Sequence, residues 1–190
     1  PALITPIQKE TRYFNDEFME YTNWEVDDGA SLFTTTEMTR DGSPCLKKAG
    51  GPEPRGGHKK AIKPIMMGLL FTGWLYSPSS REGGPGDRLA IENGKLNGYG
   101  FGVSAKGGFA QIERRSRGTG TVLKKKATDG LTQDMWYRFR YYITRHGILE
   151  LFLYDNEETE LVRIVVKDEE PQQLVPFDRI SVRGGYHYYV

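Results

Sequence analysis

The sequence has a single cysteine, Cys45, which excludes an internal disulfide and a cysteine-based metal cluster. It has no apolar run near the ~18 residues that mark a membrane-spanning helix, so no membrane insertion is expected. Neither charge dominates: 26 Lys and Arg stand against 25 Asp and Glu, and the formal net charge is +1. That balance excludes a wholesale polycation or an acidic solvating tail. Residues 1–10 lack the charged and apolar regions of a signal peptide. The three histidines, His58, His146 and His187, are scattered and form no His-x-x-x-His or Cys/His set, which argues against zinc. There is no internal repeat, no low-complexity tract, and no segment of helical length with a 3.6-residue period.

What the 190 residues do have is glycine, 23 in all, and aromatic side chains, 11 of them Tyr. Both suit turns and strands. Period-two alternation is the strand signal, and it recurs along the chain. Tyr99, Phe101 and Val103 alternate with Gly98, Gly100 and Gly102. Tyr137, Phe139, Tyr141 and Ile143 alternate with Trp136, Arg138, Arg140 and Tyr142. Leu149, Leu151 and Leu153 alternate with Glu150, Phe152 and Tyr154, and 160–167 and 177–183 read as strands too. Turns are expected at 142–148 and at Asn156-Glu157-Glu158. The Gly/Pro clusters of 40–64 and 77–87 read as long loops, because Gly allows positive φ and Pro cannot donate to a ladder. Many short strands at such spacing predict an all-β sandwich or barrel. Residues 1–12 read as an extended lead-in and 13–190 as one domain, expected to be monomeric.

Several segments carry a resemblance. Phe14-Asn15-Asp16-Glu17-Phe18 precedes Asn23-Trp24-Glu25-Val26-Asp27-Asp28-Gly29. Later come Tyr99-Gly100-Phe101-Gly102-Val103-Ser104, Ala110-Gln111-Ile112-Glu113-Arg114, Asp134-Met135-Trp136-Tyr137-Arg138-Phe139 and Phe177-Asp178-Arg179-Ile180-Ser181-Val182. Their order resembles the concanavalin A-like (laminin-G-like) jelly-roll superfamily, with the flavour of its bacterial carbohydrate-binding modules and related sugar-hydrolase domains. The resemblance implies a jelly-roll β-sandwich of two antiparallel sheets. It implies poly- or oligosaccharide bound on the concave sheet face or the rim loops, in an extracellular or cell-surface accessory module. It also implies a structural calcium ion, for which Asp16 and Asp178 are the candidates.

The face opposite the core positions mixes rings with planar hydrogen-bonding groups. It offers Phe109, Gln111 and Glu113, then Trp136, Arg138, Arg140 and Tyr142, then Glu150 and Phe152, and finally Arg179, Ser181 and Arg183. Sugars need that mixture, since their C–H faces stack on rings while hydroxyls pair with Arg, Glu and Gln. Trp74 and Tyr76 share a side of the run 68–76 and are candidates for a stacking platform. The three alternate glycines of 98–102 would leave part of the face bare for a ligand. The plain alternative is a solvated outer face on which Arg and Glu pair across strands.

Catalytic signatures are sparse, and a polysaccharide lyase or glycosidase is the alternative reading. Glu25-Val26-Asp27 begins a retaining-glucanase pattern, but Ala30 stands where its last Glu belongs. Glu113 and Glu150 are the remaining candidate acid/base pair, and Gln111, Arg138, His187 and Tyr188 could imitate a lyase set. Arg114, Arg115, Arg117 and Lys124–Lys126 make a basic patch. No nucleic-acid motif accompanies it, so solvated edge charge is the expectation.

Overall fold

The computed structural model describes residues 24–26, 31–35, 45–49, 57–65, 68–77, 87–144, 146–170, 176–183 and 188–189. The regular structure among the described residues is all strand. In chain order the strands are β1 (Trp24–Val26), β2 (Ser31–Thr35), β3 (Cys45–Ala49), β4 (Gly57–Ile65), β5 (Leu69–Ser77), β6 (Asp87–Glu92) and β7 (Gly98–Ser104). They continue with β8 (Phe109–Ser116), β9 (Thr119–Ala127), β10 (Met135–Ile143), β11 (Ile148–Tyr154), β12 (Glu160–Lys167), β13 (Phe177–Arg183) and β14 (Tyr188–Tyr189). Sheet A runs β1-β4-β13-β6-β7-β8-β9, and sheet B runs β12-β11-β10-β5-β14-β3-β2. The pairings are antiparallel, giving the expected jelly-roll sandwich.

The alternating residues meet where the sheets face each other. Tyr99, Phe101, Phe139, Tyr141, Leu151 and Leu153 belong to one buried cluster, while Ile180 is buried outside it. Phe101 lies 5.0 Å from Phe139 and 5.3 Å from Tyr141 between ring centroids, so the two sheets interlock through aromatic contacts. Phe139 pairs in register with Gly73, and a Cβ at Gly73 would come within 2.8 Å of the Phe139 ring. The glycine is thus the space that the ring fills. Burial, and after it the neighbouring Tyr99, Glu113 and Asp168, push the Tyr141 phenol well above its ordinary pKa. It stays protonated and donates to Gly100 O at 3.4 Å. At one end of the core Asp168 accepts from Tyr99 Oη at 2.8 Å and from Arg114 Nη1 at 3.0 Å. Arg114 therefore belongs to a part-buried pair and not to a solvated basic patch.

The turns form as composition dictates. Asp155 Oδ1 accepts from the backbone of Glu157 and Thr159, both at 2.8 Å, and closes the β11–β12 hairpin. Thr144 plays the same part between β10 and β11, its Oγ1 accepting from Ile148 N at 3.0 Å. The stretch 40–64, expected to be loop, instead holds β3 and most of β4. Composition misleads there because strand pairing is long-range. β3 is zipped between β2 and β14, and β4 between β1 and β13. The other expected loop lies in 77–87, of which 78–86 are outside the described residues.

β9 is one edge of sheet A and β12 one edge of sheet B. Lys124 and Lys126 pair in register with the core residues Ile112 and Ala110, so they share the inward side of β9. From there Lys124 Nζ donates to Val165 O at 3.0 Å and Lys126 Nζ to Arg163 O at 3.3 Å. The two ammonium groups cap edge carbonyls of β12 that the ladder leaves open. Exposed edges of this kind invite strand addition. The double substitution of Lys124 and Lys126 by Ala is expected to leave the fold intact but promote self-association. Light scattering against concentration checks this, and unchanged scattering would show that the caps are dispensable.

Candidate functional site

The face that sequence alternation implies divides into two, because the strands that carry it belong to different sheets. Gln111, Glu113, Arg179 and Arg183 lie at outward register positions of sheet A. Trp74, Tyr76, Trp136, Arg138, Arg140, Tyr142 and Glu150 lie on the outer face of sheet B. The two sets sit on opposite sides of the sandwich. Glu113 and Glu150 therefore cannot act as an acid/base pair, and Gln111 cannot join Arg138 in a lyase set. His187 lies outside the described residues.

On sheet A the three alternate glycines explain the geometry. Their expected role was to bare the strand for a ligand, but at Gly98 the protein's own side chains occupy the space. Gly98 pairs with Glu92 on one side and with Arg115 on the other. With no side chain between them, these two reach across β7, and Arg115 Nε meets Glu92 Oε1 at 2.9 Å. Arg115 Nη1 lies 3.4 Å from Glu113 Oε2, and Arg88 Nη2 lies 3.4 Å from Glu113 Oε1. Ser181 Oγ donates to Glu92 Oε2 at 2.6 Å, and Gln111 Nε2 to Glu113 Oε1 at 2.5 Å. Gly98 is also required by close packing of β6 on β7, since a Cβ there would stand 1.9 Å from Ile91 O. Gly120 makes room for Glu113, whose Oε2 would be 2.6 Å from a Cβ at 120. The result is a bonded set of charged groups in which Glu92, Glu113 and Arg115 are each less than 5% exposed and Arg88 closes the rim.

Sheet B presents the opposite character. Its outer face is ordered in four rows by the strand register. The first holds Tyr76 and Trp136; the second Trp74, Arg138 and Tyr154. The third holds Thr72, Arg140, Phe152 and Arg163; the fourth Leu70, Tyr142, Glu150 and Val165. Tyr76 and Trp136 are buried against each other, with centroids 5.4 Å apart, and Trp74 packs on them half-buried. Tyr76 Oη also donates to Asp134 Oδ1 at 3.3 Å. Of the expected stacking platform, Trp74 is therefore the more accessible ring. Beyond it Tyr142, Phe152 and Tyr154 are half-buried, and Leu70 and Val165 are exposed. Tyr142 meets Phe152 edge-on at 6.0 Å. Arg140 sits 5.7 Å over the Tyr154 ring and Arg163 5.2 Å over the Phe152 ring. Arg138 pairs with Glu158, whose carboxylate accepts its hydrogen bond and raises the guanidinium pKa above its usual value. Phe152 was among the residues expected on this face; Tyr154 and Arg163 were not. The signal that would have found Tyr154 is its place beside Leu153 in the same alternation that exposes Phe152.

Of the two calcium candidates, Asp16 lies outside the described residues. Asp178 stands at a register shift of β13, with Arg179 Nε 3.7 Å from its Oδ1. Among the described residues no group of three or more His, Cys, Asp or Glu is arranged to hold a metal ion.

No known family profile matches the chain. An uncharacterized protein of Methanocaldococcus jannaschii is 29% identical over 182 residues; the match covers 93% of this chain and only 18% of that protein. The carbohydrate-binding module CBM66 of Bacillus subtilis is similar in structure, with a TM-score of 0.61 and 13% identity over 88% of this chain and 91% of that one. The exoplasmic/lumenal domain of VIP36, in a form bound to Ca2+ and Man3GlcNAc, gives a TM-score of 0.60 at 10% identity, covering 88% and 81%. Peanut lectin gives 0.57 at 9% identity, covering 93% of each chain. At such identities the likeness is one of fold. The chain has the concanavalin A-like jelly-roll fold shared by lectins and carbohydrate-binding modules.

Proposed function

We propose that the protein binds carbohydrate through the outer face of sheet B, as an accessory module of a longer extracellular carbohydrate-active polypeptide. One observation carries the placement. Glu92, Gln111, Glu113, Arg115 and Ser181 of sheet A's outer face are buried and bonded to one another, whereas sheet B holds half-exposed rings, guanidinium groups and a carboxylate on one surface. Trp74 and Tyr142 offer apolar faces for sugar C–H groups, and Arg140 and Glu150 offer donors and acceptors for hydroxyls. The modular reading is supported by the longer relative, of which the match occupies 18%. Binding is favoured over acid/base catalysis by the same geometry. Glu92 and Glu113 are locked by Arg115, and Glu150 faces away from both.

A glycan array followed by calorimetry on the best ligand tests the proposal. Trp74→Ala and Tyr142→Ala should each weaken binding by roughly fivefold to tenfold, the worth of one ring contact. Arg88→Ala, on sheet A, should change it little. If Arg88→Ala abolishes binding while the ring substitutions do not, the glycan sits on the other face.

A further inference from the structure

We propose that Arg140 and Arg163, standing on either side of Phe152, form an oxyanion clamp that selects glycans bearing carboxylate or sulfate groups. The inference rests on sheet B's outer face being the glycan-binding surface, and it names the chemical class that this surface prefers. Arg140 on β10, Phe152 on β11 and Arg163 on β12 occupy one register row. With strands ~4.8 Å apart, the two arginine backbones stand about 10 Å from each other. A monosaccharide substituent can therefore reach both guanidinium groups over the Phe152 ring.

Each guanidinium is held by a ring and not by an acid. Arg163 rests on Phe152 and Arg140 on Tyr154. A ring engages the flat face of a guanidinium, while its N–H donors lie in the plane and point outward. Those donors match the two oxygens of a carboxylate or sulfate. Among the described residues neither Arg140 nor Arg163 forms an ion pair, in contrast to Arg138, which Glu158 already neutralises. Lys126 adds a further cation at the same edge, its ammonium bonded to Arg163 O. The carboxylates on this side lie in the flanking rows, Glu150 beside Tyr142 and Glu160 opposite Tyr154. Their repulsion of an anion is offset in the row between them, where the two guanidinium groups stand, so the face reads the position of the charge as well as its sign.

The experiment compares two matched polymer pairs by affinity electrophoresis: polygalacturonate against its methyl ester, and dextran sulfate against dextran. The wild type should hold the charged member of at least one pair tenfold or more tighter, with the advantage shrinking as salt is raised. Preference in one pair alone identifies the oxyanion as carboxylate or as sulfate. Arg140→Gln and Arg163→Gln should each reduce that preference by about tenfold, and Arg138→Gln should leave it nearly unchanged. Equal retention of charged and neutral polymers by the wild type, no retention of any of the four, or an intact preference in both arginine variants would overturn the clamp. Trp74→Ala and Tyr142→Ala separate the two readings. If they abolish retention of neutral and charged polymers alike while the arginine variants change nothing, the face binds glycan without a clamp. If neither ring matters, the face itself is misassigned.

Discussion

Arg115→Ala is expected to lower the free energy of unfolding by about 3–5 kcal/mol, the cost of leaving buried carboxylates without their cation. Glu92 is fully buried and Glu113 nearly so, and Arg115 is the guanidinium that touches both. Its removal also frees Gly118 O, which accepts from Nη2 at 2.6 Å. Chemical denaturation of the variant beside the wild type measures the loss. A second variant isolates its cause. Replacing Arg115 by Met, Glu92 by Gln and Glu113 by Gln together removes the buried charges of the set, leaving the part-exposed Arg88, while nearly keeping its volume. Such neutral replacements of buried ion pairs are often close to neutral in stability, so the triple variant should recover most of what the single one loses. Equal losses in both would mean that packing, and not stranded charge, holds this face.

Phe139→Ala should cost a comparable ~3–5 kcal/mol by a different route, the loss of a large buried ring and the cavity left behind. The ring is wholly buried. It touches Phe101 of the facing sheet and Phe71 of its own, the latter at 5.3 Å edge-on, and it covers Gly73. No neighbour can swing in without leaving its own contact, because Gly73 has no side chain to offer. For a chain of this size such a loss lowers the melting temperature by on the order of 10 °C. A scanning calorimetry trace close to that of the wild type would place the ring at the surface.

The two residues also mark how much could be read from sequence. Phe139 was legible because a strand's period of two sorts inward from outward positions, and aromatic residues at alternate sites leave little choice. The same rule put Arg138, Gln111 and Arg179 on outward positions correctly. It could not say that β10 and β13 lie in different sheets, because alternation is a property of one strand and sheet membership is set by distant partners. β13 pairs with β4 and β6, and β10 with β5, each far away in the chain. The single composite face of sequence reasoning is therefore two faces. The role of Gly98 escaped for a related reason. Alternate glycines signal close approach, but whether a ligand or the protein's own Arg115 and Glu92 fills the gap depends on what β6 and β8 present. Gly50–Gly57 hid the flanking β3 and β4, since turn-forming residues between two strands outweigh the strands' own weak, lysine-rich pattern.

Under the proposed glycan-binding role, the lysine caps between β9 and β12 bear on how the protein behaves when many copies share one polymer. A polysaccharide chain that recruits modules side by side raises their local concentration far above that in solution, and bare strand edges would then zip into one another. An ammonium bonded to a carbonyl is a charge–dipole contact that vanishes only when the lysine is neutralised or moved, and any strand approaching β12 must first displace it. Copies crowded along a ligand could thus stay separate and exchangeable, able to leave one stretch of polymer and settle on another.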